Sequence, residues 1–396
     1  SLTKSLPKIH IDIGSGVDIG STTALSVWKI NTLDQRPYTL FADWYNTYYR
    51  TTMATAYAEI KAATGLPLSG NTHNLSPDAR QAWVASNFDF LEFETLPPVY
   101  PSSLTQRLNE TALQHLSALT CDALGKRGIV VQKPGPLNSA PVSWITASMR
   151  QNIASWFAWG LTCKIPWDVY MQVEEGVSVN GYSYLPSTAP YKDMFDFVRS
   201  IRATLLDGSR SIGDIGMLAG NGYFPLSGET AEATDLLTMQ AKIAAILGSG
   251  LQPILIVDGS TWYTSRGASK GAQFPFTIAL SGAGDMRGDL QAYRNFNVDL
   301  FDATALTAIR NRYARLWLTG TGAAAVRAYA RLSAAGKIVI HLVNYSTTAN
   351  AQDTQTVALA GPLSALKYQS QTPQSVAAVP YSGGVAVTDW AVLSEI

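Results

Sequence analysis

From residue 9 to about residue 262 the sequence alternates short β-like runs with longer helical ones, and this alternation constrains the fold more than any other feature. Strands joined through helical segments run parallel, because each crossover returns the chain to the same end of the sheet. Eight runs qualify as strands: IHIDI (9–13), YTLFADW (38–44), LPLSGN (66–71), FDFLEFE (88–94), IVVQKPG (129–135), KIPWDVYM (164–171), IGDIGML (212–218) and PILIVDG (253–259). Eight parallel strands are enough to close a barrel. Helical stretches lie between them, among them TTMATAYAEIKAAT, RLNETALQHLSALTCDALG, MRQNIASWFAWGLT, YKDMFDFVRSIRATLL and EATDLLTMQAKIAAILGSG. Another, SPDARQAWVAS, offers Ser76 as N-cap and Pro77 at the first helical position.

Farther along, VRAYARLSAAGKIVIHLVNYS alternates apolar and polar residues on both sides of SAAG, the pattern of a β-hairpin. Short runs follow, TQTVALAG, SALKYQS, SVAAVPY and GVAVTDWAVLSEI, each bounded by turn residues. From about residue 322 the chain therefore reads as all β. The expected fold is a (β/α)8 TIM barrel over residues 1–320 followed by a small C-terminal antiparallel β-sandwich over residues 321–396.

Composition narrows the partners. Of 396 residues 46% are hydrophobic and 15% charged, and Lys plus Arg (29) equals Asp plus Glu (29). With no block of like charge, neither nucleic acid nor an anionic membrane finds an electrostatic footprint, and a neutral partner fits better. Eighteen Tyr and ten Trp suit stacking on uncharged rings such as sugars, although large cores also use aromatics. The pair Cys121 and Cys163 excludes a disulfide framework and reads as two inert buried thiols. No signal peptide or transmembrane run is present, and a leader or upstream domain could precede SLTKSLPKIHIDI. An extracellular or virion-associated setting is favoured, and homo-oligomerisation is left open.

Several chemistries lack their motifs. DIGSGVDIGSTT resembles a phosphate-cradling loop, but Gly14, Gly16 and Gly20 miss the dinucleotide spacing and no G-K-[ST] follows. His10, His73, His115 and His341 stand at no zinc-ligand spacing, so no metal is expected, and no other cofactor is required. G-x-S-x-G is absent.

Carboxylates near strand ends are more informative. In NFDFLEFET a period of two puts Phe88, Phe90, Glu92 and Glu94 on one face and Asp89, Leu91 and Phe93 on the other. Asp168 and Asp258 end later strands, Asp43 an earlier one, and Asp214 lies within the seventh. A barrel would gather them at one mouth, where barrel enzymes keep their chemistry. Glycosidic cleavage needs a carboxylic acid to protonate the leaving oxygen and a second carboxylate about 5 to 10 Å away as nucleophile or base. Crowding acids in a partly apolar cavity keeps one of them protonated. For each, the alternative is a structural partner to an arginine or a backbone N–H. Trp44, Trp167, Tyr170 and Trp262 fall in the same loops as stacking candidates, and Asn71, His73 and Lys133 as donors and acceptors for hydroxyls.

The order GLPLSGNTHN, FDFLEFET, GIVVQKPG, RQNIASWFAWGLTCKIPWDVYM and AVRAYARLSAAGKIVIHLVNYS resembles bacterial barrel glycoside hydrolases of the β-galactosidase and agarase type, which carry a C-terminal β-sandwich. The resemblance implies an acid/base Glu at the end of strand four, which falls on Glu94 or Glu92. It also implies a nucleophilic Glu at the end of strand seven, where this chain has only Asp214. The second carboxylate is then Asp168 or Asp258, with Glu92 keeping the acid protonated. The expected activity is hydrolysis of a polysaccharide or oligosaccharide. Its rivals are a non-catalytic carbohydrate-recognition module of a cell-surface or phage particle, and a polysaccharide lyase.

Overall fold

The computed structural model describes residues 52, 54–72, 88–95, 100, 103–132, 140–164, 189–219, 240–257, 274–280, 298–346 and 353–396. Four strands, β1 (Ser69–Thr72), β2 (Phe90–Thr95), β3 (Arg127–Gln132) and β4 (Thr162–Lys164), form a parallel sheet in sequence order. The short β5 (Arg210–Ser211) precedes a second parallel sheet of β6 (Ile215–Ala219), β7 (Pro253–Val257), β8 (Thr277–Ala279) and β9 (Val298–Leu300). Here the order is β7-β6-β8-β9, so β6 rather than β7 lies beside β8. Among the described residues no ladder joins the two sheets.

Beyond them, β10 (Trp317–Thr319), β11 (Val326–Leu332), β12 (Ile338–Asn344), β13 (Gln355–Ala360), β14 (Tyr368–Thr372), β15 (Ser375–Pro380), β16 (Val385–Val387) and β17 (Trp390–Glu395) follow. They make an antiparallel six-stranded sheet, β15-β14-β17-β12-β11-β5, and a three-stranded one, β10-β13-β16. The hairpin read from the sequence is β11 and β12, closed by the Ser333 N–H to Lys337 carbonyl bond at 2.9 Å. Ala328, Ala330, Ile340, Leu342 and Leu393 of the larger sheet share one core with Val357, Leu359 and Val387 of the smaller.

Six of the eight expected strands fall at least partly on described residues. Their observed bounds are displaced by one to three residues at most ends, and 9–13 and 38–44 lie outside the described residues. β8 and β9 were not foreseen: three residues each is too short for periodicity to register.

Helices cover the parallel sheets. They are α1 (54–64), α2 (Leu104–Leu124), α3 (Val142–Ala158), α4 (Lys192–Ile201), α5 (240–248) and α6 (Leu306–Tyr313). Helices α1 to α4 join the core of the first sheet, and α2, α5 and α6 that of the second. The Ser103 side chain caps α2 by accepting from the Gln106 N–H at 3.2 Å. At its other end Gly125 N–H bonds the Asp122 carbonyl and Lys126 N–H the Cys121 carbonyl, a Schellman stop. Helix α3 is buried nearly all round, which suits an element covered on two sides. Phe93 and Val130 of the first sheet belong to the same core as Trp156, and so do Val339, Val343 and Trp390 of the six-stranded sheet.

Gly160 ends α3 with a φ of 80°, and a Cβ there would collide with the Arg331 guanidinium. Arg331 bonds the Trp159 carbonyl at 2.7 Å, and Ser209 Oγ and Ser211 Oγ at 2.9 Å each, tying α3 to the β5 edge. Along α4, Met194, Phe197, Val198 and Ile201 recur at helical spacing and are all buried. Each contributes about 1.5 to 3 kcal/mol of burial. Helix α4 thus covers the same face of the six-stranded sheet as α3.

Candidate functional site

Strand β2 is positioned by its own alternation. Leu91 and Phe93 are 0% and 1% exposed within the core that α2 and α3 complete, which assigns Phe90, Glu92 and Glu94 to the opposite face. Phe88 departs from the expectation: it precedes the strand and packs on Tyr57 of α1, ring centroids 4.5 Å apart, so the alternation begins at Phe90. Parallel register aligns Asn71, Glu92, Ile129 and Thr162 in one row, and Glu94, Val131 and Lys164 in the next. Neighbouring strands in a row stand about 4.8 Å apart.

Asn71, Glu92, Glu94 and Lys164 therefore occupy one face at the carboxyl-terminal end of the sheet. Open parallel sheets bind ligands at that end. Glu92, Phe90 and Ile129 are each half-buried, so Glu92 rises from a partly apolar floor. At the amino-terminal end Asp89 has a different task. The Lys61 ammonium pairs with it and the Leu68 N–H bonds it at 2.9 Å, and these hold its carboxyl below the usual range.

Of the residues expected at the mouth, the structure brings together Asn71, Glu92 and Glu94, the first and last by backbone register. Trp44, His73, Lys133, Trp167, Asp168, Tyr170, Asp258 and Trp262 lie outside the described residues. Asp258 directly follows β7, and Asp168 is four residues past β4, so both come after carboxyl-terminal strand ends.

Asp214 is placed otherwise. It precedes β6 and so sits at the amino-terminal end of its strand, 5% exposed. Its carboxylate accepts from Arg315 Nε at 3.0 Å, and from the N–H groups of Arg315 and Gln252 at 3.2 Å each. Burial raises its proton affinity while Arg315 opposes the rise. This is the structural partner to an arginine, and it accounts for the carboxylate fully. The cysteines behave as expected of inert thiols: both are free, and burial pushes each well above the usual thiol range.

A polar chain that sequence reasoning missed runs between α3 and the six-stranded sheet. Ser155 Oγ lies 2.7 Å from Tyr345 OH, which lies 3.0 Å from Tyr329 OH. Nearby, His115 stacks on Trp159 at 4.9 Å. All of these side chains are buried, and the hydroxyls satisfy one another. No local signal could have found them, because Ser155 and Tyr345 are 190 residues apart.

Among the described residues no three His, Cys, Asp or Glu side chains cluster as a metal site, and no helix is long and apolar enough to cross a membrane. No protein-family model matches the chain, and no curated protein matches it. Solved structures with some likeness include a GH30 endoxylanase from Clostridium papyrosolvens C71, at 10% identity over 83% of this chain and 95% of that one, TM-score 0.22. The catalytic domain of GH30 xylanase C from Talaromyces cellulolyticus aligns at 12% identity over 88% of this chain and 94% of that one, TM-score 0.17. Overlaps of that size carry no argument about fold or activity, which leaves function to the chemistry of the site.

Proposed function

We propose that the protein is a glycoside hydrolase that cleaves a polysaccharide or oligosaccharide with two carboxylates, on a barrel-like parallel α/β domain (residues 1–320) whose β7-β6-β8-β9 order departs from the sequential order of a (β/α)8 barrel, carrying a C-terminal β-sandwich (residues 321–396). The observation that carries the reading is the placement of Glu92 and Glu94 on one face of β2, at the carboxyl-terminal end of a parallel sheet, with the opposite face sealed by helices. Glu94 is the general acid and Glu92 its neighbour, about 6.6 Å along the strand. The second carboxylate is Asp168, with Asp258 the alternative. Strand β4, which precedes Asp168 in the chain, belongs to the same parallel sheet as β2, two strands away. Asn71 and the aromatic side chains Trp44, Trp167, Tyr170 and Trp262 would hold the sugar, with His73 and Lys133 bonding its hydroxyls.

The test is release of new reducing ends from a panel of polysaccharides by the wild-type protein and by E94Q. E94Q is expected to keep less than about a tenth of the rate while still binding the ligand, the loss typical of a missing general acid. A variant above that level contradicts the assignment. D168N and D258N, measured alongside, identify the partner. Binding without new ends in the wild-type protein supports a recognition module instead, and products absorbing in the ultraviolet support a lyase.

A further inference from the structure

A second cleft lies far in sequence from the carboxylate face. Its volume is about 250 Å³, and it is bounded by the turn that ends α5, by α6 and by strands β10 and β11. Two guanidinium groups, those of Arg310 and Arg327, line it together with Ser249, Gln252 and Trp317, and no acidic side chain does so among the described residues. The two arginines flank one short turn. A Cβ built at Gly248 would stand 3.4 Å from Arg327 Nη2, and one built at Gly250 would stand 3.6 Å from Arg310 Cδ.

Neither arginine is neutralised among the described residues. Arg327 donates through Nη1 to the carbonyls of Ala324 at 3.0 Å and Val326 at 3.1 Å. Arg310 donates to Asn311 Oδ1 at 3.1 and 2.9 Å, and its guanidinium lies 5.5 Å from the centre of the Trp317 ring. That leaves Nη2 of Arg327 and Nη1 of Arg310 without a hydrogen-bond partner among the described residues. Burial lowers the proton affinity of Arg327, opposed only by the tyrosines Tyr329 and Tyr345. Arg150 and Arg315, by contrast, are matched by carboxylates, Arg150 by Asp193 and Asp389 and Arg315 by Asp214, while the buried Arg107 bonds the Gln151 side chain. Holding a guanidinium away from bulk water without a counter-charge costs stability unless an anion supplies it. Arginine forks also match the geometry of oxyanions.

We propose that this cleft binds a compact oxyanion, free or carried on a small ring, held between Arg310 and Arg327. A space of about 250 Å³ falls just below the usual range for small-molecule pockets, so it admits an ion or a single ring rather than a chain. Gly248 keeps the approach to Arg327 open, because any side chain there would stand against the guanidinium. The proposal is independent of the glycosidase reading: an inactive protein would leave it untouched, and so would loss of Glu94.

The experiment is calorimetric titration of the full chain with sulfate, glucose 6-phosphate and glucose at constant ionic strength. Sulfate and glucose 6-phosphate are expected to saturate at millimolar concentrations, and glucose to bind at least tenfold more weakly. Equal affinities for the two anions identify a free oxyanion as sufficient, and tighter glucose 6-phosphate identifies a ring-borne one. R327Q and R310Q should each weaken the anions tenfold or more, and R327Q should do so without lowering the unfolding midpoint, since it removes a buried charge. No saturable anion binding by the wild-type protein, or equal binding of glucose, overturns the proposal. So does full retention of affinity in the R310Q/R327Q double variant.

Discussion

At the scale of single residues, two histidines set how the protein answers to acid. His115 and His341 are 6% and 0% exposed, and His341, stacked on Trp390 at 5.7 Å, has no hydrogen-bond partner for either ring nitrogen among the described residues. Burial first, and then the charge of Arg331, pushes each from 6.5 down to about 3. The unfolded chain takes up protons on these rings below about pH 6.5 and the folded chain does not, so stability is full above that pH and falls as pH drops toward about 3. Each ring contributes up to about 1.4 kcal/mol per pH unit in that window. Denaturant unfolding between pH 7 and 4 should show the decline, and H341L should flatten it by one ring's share. At pH 7 the same variant should be near neutral or more stable, because it removes buried polar atoms together with their desolvation cost.

At the scale of elements, legibility followed the range of the forces involved. Helix α2, with its serine cap and glycine stop, and α4, with four apolar residues at helical spacing, are decided within their own turns, and the sequence revealed both. The β2 alternation was equally local: it put Leu91 and Phe93 on one face, where both are buried, and half-buried Glu92 on the other, but it misplaced Phe88, which precedes the strand and joins the core. The expectation for Asp214 rested on a strand that would include it. The strand starts one residue later, and Arg315, about 100 residues on, claims the carboxylate. A joint between elements was equally invisible. Arg150 of α3 bonds Asp193 of α4 through two 2.6 Å contacts and Asp389 ahead of β17 at 2.7 and 3.0 Å. The Asp389 side chain is 4% exposed, so R150M would leave a buried carboxylate without its counter-charge, held only by the Gln374 amide at 3.0 Å, and should cost about 3 kcal/mol, seen as a lower denaturant midpoint with unchanged slope. D193N should cost less, since that side chain is 41% exposed and Arg150 would keep Asp389.

At the scale of the whole molecule, the C-terminal strands do not stand apart from the helices that precede them. Alternation in β11 and β12 suggested one apolar and one polar face, yet β12 is buried on both: Ile340 and Leu342 meet the three-stranded sheet, while Val339 and Val343 meet α3 and α4. The sequence could not disclose this, because a strand pattern records which residues alternate but not which distant helix lies across them. Two polar members of the second face are satisfied by that distant structure, Tyr345 by Ser155 and Arg331 by Trp159 and Ser211, while His341 between Val339 and Val343 only stacks on Trp390. The sheet even takes its edge strand, β5, from residues before the second parallel sheet. Cutting the chain at the proposed boundary would therefore uncover Tyr329, Val339, Val343, Trp390 and Val392 together, with the unpaired strand β11 at the edge. Expressed alone, residues 321–396 should bind a dye for exposed apolar surface and self-associate, and the full chain should lose the signals of both parts in one thermal transition. A soluble monomer of residues 321–396 with a sharp transition of its own would show instead that the two sheets of the C-terminal part hold together without the helices.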